Sequence, residues 1–369
     1  MWRGVSLTII ALITTGLVWG CAGSQSAQES TAIPVFLTFE RGDRVACCGV
    51  ALPNDGSVVV VGRVDTVAGK SWAWVAKVLR SGVLAWELDW SSETDSTGFY
   101  AATEVAGGAV IAVGNGAGQA GLIARIEPTG TIAWTKPLRL DRSTRVIDVI
   151  DDAANGLLIA GAVAAASKPW SLFVARMTGS GDIARHTIIG EGDWVTRMRR
   201  VDKDGYVVIS GGWDVIRLDR SEQIRWRKRV HGAMDAVGLS DGSVIVLTFP
   251  EDESIGAGLV RLNSDGAKVW ERSEPAVCRP AGIWGRSNDN IVVAGNPCAD
   301  SEYLSVVSIL ADGTARLVNR TRVRAGVTAL QVRFDASGSA IAAGMFQQDG
   351  PEASKGWVFR SGPILGLAP

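Results

Sequence analysis

Histidine is nearly missing from this chain: only His186 and His231 occur in 369 residues. Neither stands at metal-ligand spacing from a second donor, and both read as surface residues near a fourth strand or its exit loop. A charge excess is missing as well. Lys and Arg number 37 against 38 Asp and Glu, a net charge of −1, so no basic face invites nucleic acid and no acidic excess points to disorder. Helical periodicity is almost absent, and past the N-terminus no apolar run approaches the roughly 18 residues of a membrane span. Carboxylates are not gathered for catalysis either. Glu251 and Glu253 fall in a loop and read as solvated, and Asp202-Lys203-Asp204-Gly205 resembles a calcium-loop fragment but lacks the remaining ligands. It reads as a turn. No catalytic, cofactor-binding or metal-binding residue is assigned.

What is present begins with an apolar run, residues 5–18, after the basic Arg3. Its 14 residues are too few to cross a bilayer stably and read as a secretory signal. Leu17-Val18-Trp19-Gly20-Cys21 resembles the bacterial lipobox at Val18, Gly20 and Cys21, with Trp19 departing from it. The resemblance implies a lipoprotein signal peptide over 1–20 and lipidation of Cys21, the first residue of the mature chain. Several buried acyl chains would anchor it firmly, at about 0.8 kcal/mol per methylene. Ala22 and Gly23 follow where an Asp would retain a lipoprotein at the inner membrane, which implies the outer membrane of a bacterial envelope. Residues 21–32 then read as the lipidated cysteine and a flexible tether, since 24–31 is polar and small.

From residue 33 the chain repeats itself. Gly56, Gly108, Gly156, Gly205, Gly242, Asn290 and Gly338 each close a turn before an apolar strand, at spacings of 52, 48, 49, 37, 48 and 48. Each follows Asp, Asn, Gly or Ser, residues that tolerate positive φ. Strand b comes next, at 57–61, 109–113, 157–160, 206–210, 243–247, 291–294 and 339–343. These are nearly continuous apolar runs, as in sheets covered on both faces. Strand c carries a cation (Lys77, Arg125, Arg176, Arg217, Arg261, Arg360), and strand d carries Trp86, Trp134, Trp226 and Trp270. A two-residue c–d turn places Lys77 opposite Trp86, Arg125 opposite Trp134, Arg217 opposite Trp226 and Arg261 opposite Trp270, cation–indole pairs worth roughly 0.5–1 kcal/mol. Ser308 and Leu317 replace the pair in the sixth repeat, and Arg185 faces Arg176 in the third. The series reads as cement within the fold rather than as a ligand ladder.

Periods of 40–50 residues with four short strands are those of propeller blades. DGYVVISG, DVIRLDRSEQIRW and AGLIARIEPTGTIAW resemble the quinoprotein-like, WD40-like propeller repeats of bacterial envelope proteins. The expected fold is all-β, a seven-bladed β-propeller of four-stranded antiparallel blades over 33–369. Residues 33–40 are expected to complete the last blade, with the tail 364–369 as the competing segment. Cys278 and Cys298 flank one hairpin centred near residue 288, which predicts a disulfide in an oxidising compartment. Cys47 and Cys48 are adjacent on a strand and read as buried thiols. The alternative is a vicinal disulfide of the kind that quinone-dependent dehydrogenases of similar repeat type hold against their cofactor. Those enzymes resemble this chain only in part, having eight blades and a calcium ligand set.

The expected function is therefore a binding or scaffolding module, not an enzyme and without a cofactor. Its partners are the membrane, through the lipid, and a protein or carbohydrate on one propeller face. Lipoprotein propellers in outer-membrane protein assembly complexes resemble the chain in anchor and repeat style, and a secreted enzyme working at the channel mouth is the remaining alternative. The irregular loops 91–98, 163–169, 250–256 and 347–355 are the candidate contacts.

Overall fold

Strands form here where β-branched runs are bounded by turns that require left-handed backbone. Val58–Asp65 (VVVVGRVD) follows Gly56, which sits at φ 75°, and Val244–Thr248 follows Gly242 at φ 78°. The acid before each glycine ties the turn, Asp55 accepting from the Ser57 amide at 2.8 Å and Asp241 from the Ser243 amide at 2.9 Å. The sixth anchor differs from expectation. Asp289, at φ 58°, takes the left-handed position instead of Asn290.

The computed structural model describes residues 28–29, 35–39 and, with short interruptions in loops, 44–363. Cys21 and the signal segment lie outside the described residues, as does the tail 364–369. Five separate sheets carry the middle of the chain, each an antiparallel meander of four strands in sequence order. They begin with Gly98–Glu104, Ser143–Asp151, Val195–Arg200, Ala233–Gly238 and Arg279–Gly285, and end with Ile132–Leu138, Ile183–Glu191, Ile224–Arg229, Lys268–Glu274 and Ala315–Arg322. Gln28–Glu29 adds to the last of these in parallel, so this piece of the expected free tether lies on a sheet edge.

The expectation of seven separate blades is corrected to five. The first and last repeats are joined in one eight-stranded sheet, because Ser354 makes a parallel bridge to Arg44. Val35–Phe39 belongs to that sheet and runs antiparallel to Ser354–Pro363, from Val35 opposite Arg360 to Phe39 opposite Gly356. Phe39 is buried there, its ring edge-on to Trp74 at 4.6 Å.

The core is distributed rather than central. Leu158, Ala160, Val174, Met198, Tyr206 and Val208 form one cluster between the Ser143 and Val195 sheets, and similar clusters lie between the other neighbours. Each sheet hides both faces this way, which is why its second and third strands read as continuous apolar runs. Within the eight-stranded sheet, Ile341, Ala343 and Val358 pack with Val45, Cys47 and Val60.

The register places Lys77, Arg125, Arg217 and Arg261 opposite Trp86, Trp134, Trp226 and Trp270, Arg176 opposite Arg185, and Ser308 opposite Leu317. The expected cation–indole contact is nevertheless not where the energy goes. The cation is drawn to a carboxylate instead: Lys77 to Asp55 at 2.8 Å, Arg261 to Asp241 at 2.6 Å, and Arg360 to Asp335. The indole turns outward to the next sheet. Trp86 donates to the Pro128 carbonyl at 2.9 Å and Trp226 to that of Ser264 at 2.8 Å. Its ring then lies over the neighbouring turn, so close that a Cβ on Gly130 would stand 2.8 Å from Trp86 and one on Gly266 2.9 Å from Trp226. Glycine at the turn and tryptophan on strand d are two halves of one joint.

Candidate functional site

Strand a of every repeat carries a one-residue bulge, at Cys48, Tyr100, Ile147, Thr196, Met234, Ala281 and Leu330. A bulge bends and twists its strand and re-aims the next side chain. Three of those next side chains reach the neighbouring strand a. Asp148 accepts from the Met198 amide at 2.7 Å, Asp235 from the Ile283 amide at 3.5 Å, and Gln331 from the Val50 amide. These bonds lace the inner wall of the ring.

Below the bulges the ends of the strands converge on a cavity of about 570 Å³, lined among others by Leu52, Glu104, Asp151, Arg199, Trp284 and Arg333. That volume lies in the range of small-molecule sites. Arg199 is almost buried and bonds Asp235 at 3.0 Å, with Asp148 at 3.5 Å. The guanidinium of Arg333 lies over the Trp284 ring at 5.7 Å. Burial in the channel wall, then the charge of Arg199, push Arg333 down to about 9, against the opposing carboxylates Asp235 and Asp148.

The opposite end of the sheets carries the b–c and d–a loops, and there the surface is aromatic. Trp213, Phe249 and Ile255 are 43%, 51% and 52% exposed, with Trp194 at 37%. Backbone bonds join the loops that hold them: Gly211 donates to the Trp194 carbonyl, Val230 to that of Trp213 and Phe249 to that of Gly232. Trp213 is held on edge by His231 at 4.1 Å and capped by Arg229 at 5.1 Å, while Trp170 carries Arg145 at 4.3 Å. Rings braced in this way lose little freedom when a partner covers them.

The sequence-predicted residues scatter over this frame. The loops 91–98, 163–169, 250–256 and 347–355 all belong to the aromatic end, although 91–95, 166–168, 251–254 and 348–353 lie outside the described residues. Glu251, Glu253 and Asp202-Lys203-Asp204 also lie outside them. His186 is exposed on a fourth strand, and His231 serves the Trp213 stack. Cys47 is buried and Cys48 half-buried, both free thiols; burial pushes the Cys48 thiol up to about 11, and Cys47 further. Cys278 is buried beside a hairpin whose register pairs Arg279 with Asn296, which carries it to within one position of Cys298, itself outside the described residues. Among the described residues no three His, Cys, Asp or Glu side chains gather as a metal site. Sequence reading missed Trp194, Trp213 and Phe249. Their only signal was position, one or two residues outside a strand end.

No protein-family model and no curated protein matches the chain. Solved structures do. Sqt1 from Chaetomium thermophilum is similar at a TM-score of 0.56 and 12% identity, over 88% of this chain and 87% of that one. A protein of unknown function from Dyadobacter fermentans is similar at 0.50 and 11%, over 90% and 99%. BamB from Moraxella catarrhalis stands at 0.48 and 15%, over 84% and 85%. At identities this low the first two likenesses speak to fold alone, and with the sheet order they make the chain an all-β propeller of four-stranded antiparallel blades.

Proposed function

We propose that the chain is an envelope-anchored lipoprotein whose propeller is a binding and scaffolding module, with a protein partner docking on its aromatic end. One observation carries this reading. Trp194, Trp213, Phe249 and Ile255 stand exposed on consecutive, hydrogen-bonded loops, and large apolar side chains grouped on one surface mark a protein-interaction site. Lipidation of Cys21 supplies the anchor, and Ala22-Gly23 the address at the outer membrane. The narrower form of this reading is a subunit of an outer-membrane protein assembly complex, for which a membrane β-barrel would be the partner recovered. We assign no catalysis to the module.

The eight-stranded sheet joins the first and last repeats through the Ser354–Arg44 bridge and takes Val35–Phe39 as a further strand. A Cys278–Cys298 disulfide belongs to the same reading and is supported by the hairpin register.

Chemical cross-linking of the detergent-extracted full-length lipoprotein, followed by affinity purification, tests the docking face. Cross-links are expected to map to residues flanking Trp213 and Phe249. The double variant Trp213→Ala, Phe249→Ala should recover at least about tenfold less partner, since truncating one anchor residue costs about 2 kcal/mol. Undiminished recovery, with cross-links on the opposite end, contradicts the assignment.

A further inference from the structure

The inner wall of the ring is short of negative charge. Asp148 spends its oxygens on the amides of Val149 and Met198, with Arg199 at 3.5 Å. Asp235 spends its own on the amides of Ala236 and Ile283 and on Arg199. Those two carboxylates, with Arg199 and Arg197, are the charges that face Arg333. Among the described residues neither Arg333 nor Arg197 has a carboxylate within ion-pair distance, and the Nε of Arg199 is a buried donor without an acceptor. At the rim Glu104 is turned away to the Asn54 amide. Arg200 is drawn to Asp152 at 3.7 Å.

Desolvated cations without partners are costly, and buried N–H donors are normally satisfied. A cavity of about 570 Å³ opens directly onto Arg333 and Arg199, and Arg197 is close enough for its charge to act on Arg333. We propose that the channel binds a small oxyanion, a phosphate or carboxylate group held by Arg333, Arg197 and Arg199, with the rest of its ligand in the cavity against Trp284. Guanidinium donors suit both oxyanions because they present a planar fork to two oxygens. Burial, and then the charge of Arg199, also lowers the affinity of Arg333 for its proton. The site lies at the other end of the channel from the aromatic loops and stands or falls independently of the docking face.

Thermal unfolding of the full-length protein in detergent, titrated with inorganic phosphate or with citrate at ionic strength matched by sodium chloride, tests the proposal. A saturable rise in Tm of about 2 °C or more is expected with at least one of the two. A response to phosphate alone identifies a phosphate ligand, to citrate alone a carboxylate, and to both a general oxyanion site. Arg333→Gln and, separately, Arg197→Gln should each lower the apparent affinity at least tenfold while leaving the Tm of the free protein unchanged or raised, because an uncompensated charge is gone. Arg227→Gln, on an exposed fourth strand, should retain the full response. The proposal is overturned if neither anion raises Tm beyond the chloride control, or if both channel variants respond like the wild type.

Discussion

Glu222 shows how one residue can stand in for another joint. At the c–d turn of the Val195 sheet it occupies the place that Gly82, Gly130, Gly181, Gly266 and Gly313 hold elsewhere, and it adopts their left-handed backbone at φ 63°. Non-glycine residues take that conformation at a cost. The compensation is the carboxylate, which is 2% exposed and reaches Arg176 and Arg185 of the preceding sheet. Arg185 stands where other fourth strands have tryptophan. A Trp–Gly stack has thus been exchanged for an Arg–Glu pair at the same place. The sequence showed one departure, Arg185 facing Arg176, but only the neighbour relation between sheets couples it to Glu222. Glu222→Ala should cost about 2–3 kcal/mol in urea unfolding, because the buried Arg176 loses a carboxylate that it shares with Arg185. The double variant Arg185→Trp, Glu222→Gly should recover to within about 1 kcal/mol of the wild type. Equal instability of the single and double variants would contradict the exchange.

At the level of the strand, the device that shapes the ring was invisible from periodicity. Opposite the residue before each bulge, strand b has Gly62, Gly114, Gly161, Gly295 or Gly344 in five repeats. A Cβ on Gly114 would stand 1.8 Å from the Gly98 carbonyl, and one on Gly62 2.0 Å from that of Ala46. Where Ser210 and Thr248 take this place, strand b ends with them. With glycine it runs on, as far as Asp65 in the first repeat. Glycine is a weak strand former, so a reading by apolar runs stops one residue early and misses the bulge across the sheet. The turns and apolar strands were legible because their chemistry is local. Gly114→Ala should destabilise by about 3 kcal/mol or more through the carbonyl clash, while Thr248→Ala stays within about 1 kcal/mol. Denaturant midpoints at constant slope measure both, and a neutral Gly114→Ala would refute the steric role.

Over the whole molecule, the two ends of the channel are chemically distinct. Aromatic loops crown one end, and arginines, Arg199 and Arg333 among them, line the other. The arginine end was hidden in the sequence because residues from all repeats meet at the axis and no local window contains them, and the aromatic end because its residues carry no signal beyond standing just outside a strand end. Stability is a matter of neighbours, since each sheet is covered only by the next. A ring of this kind depends on its last contact, the pairing of Val35–Phe39 with Ser354–Pro363. If that pairing fastens the ring, the N-terminal strand is as protected as the middle of the chain, although terminal segments ordinarily fray. Hydrogen exchange on the full-length protein, followed at the amides of 35–39 and 356–360, measures this directly. Both segments are expected to exchange together, at the slow rate of the interior strands and through the same cooperative opening. Fast exchange at 35–39 beside slow exchange at 356–360 would mean that the ring is not closed there.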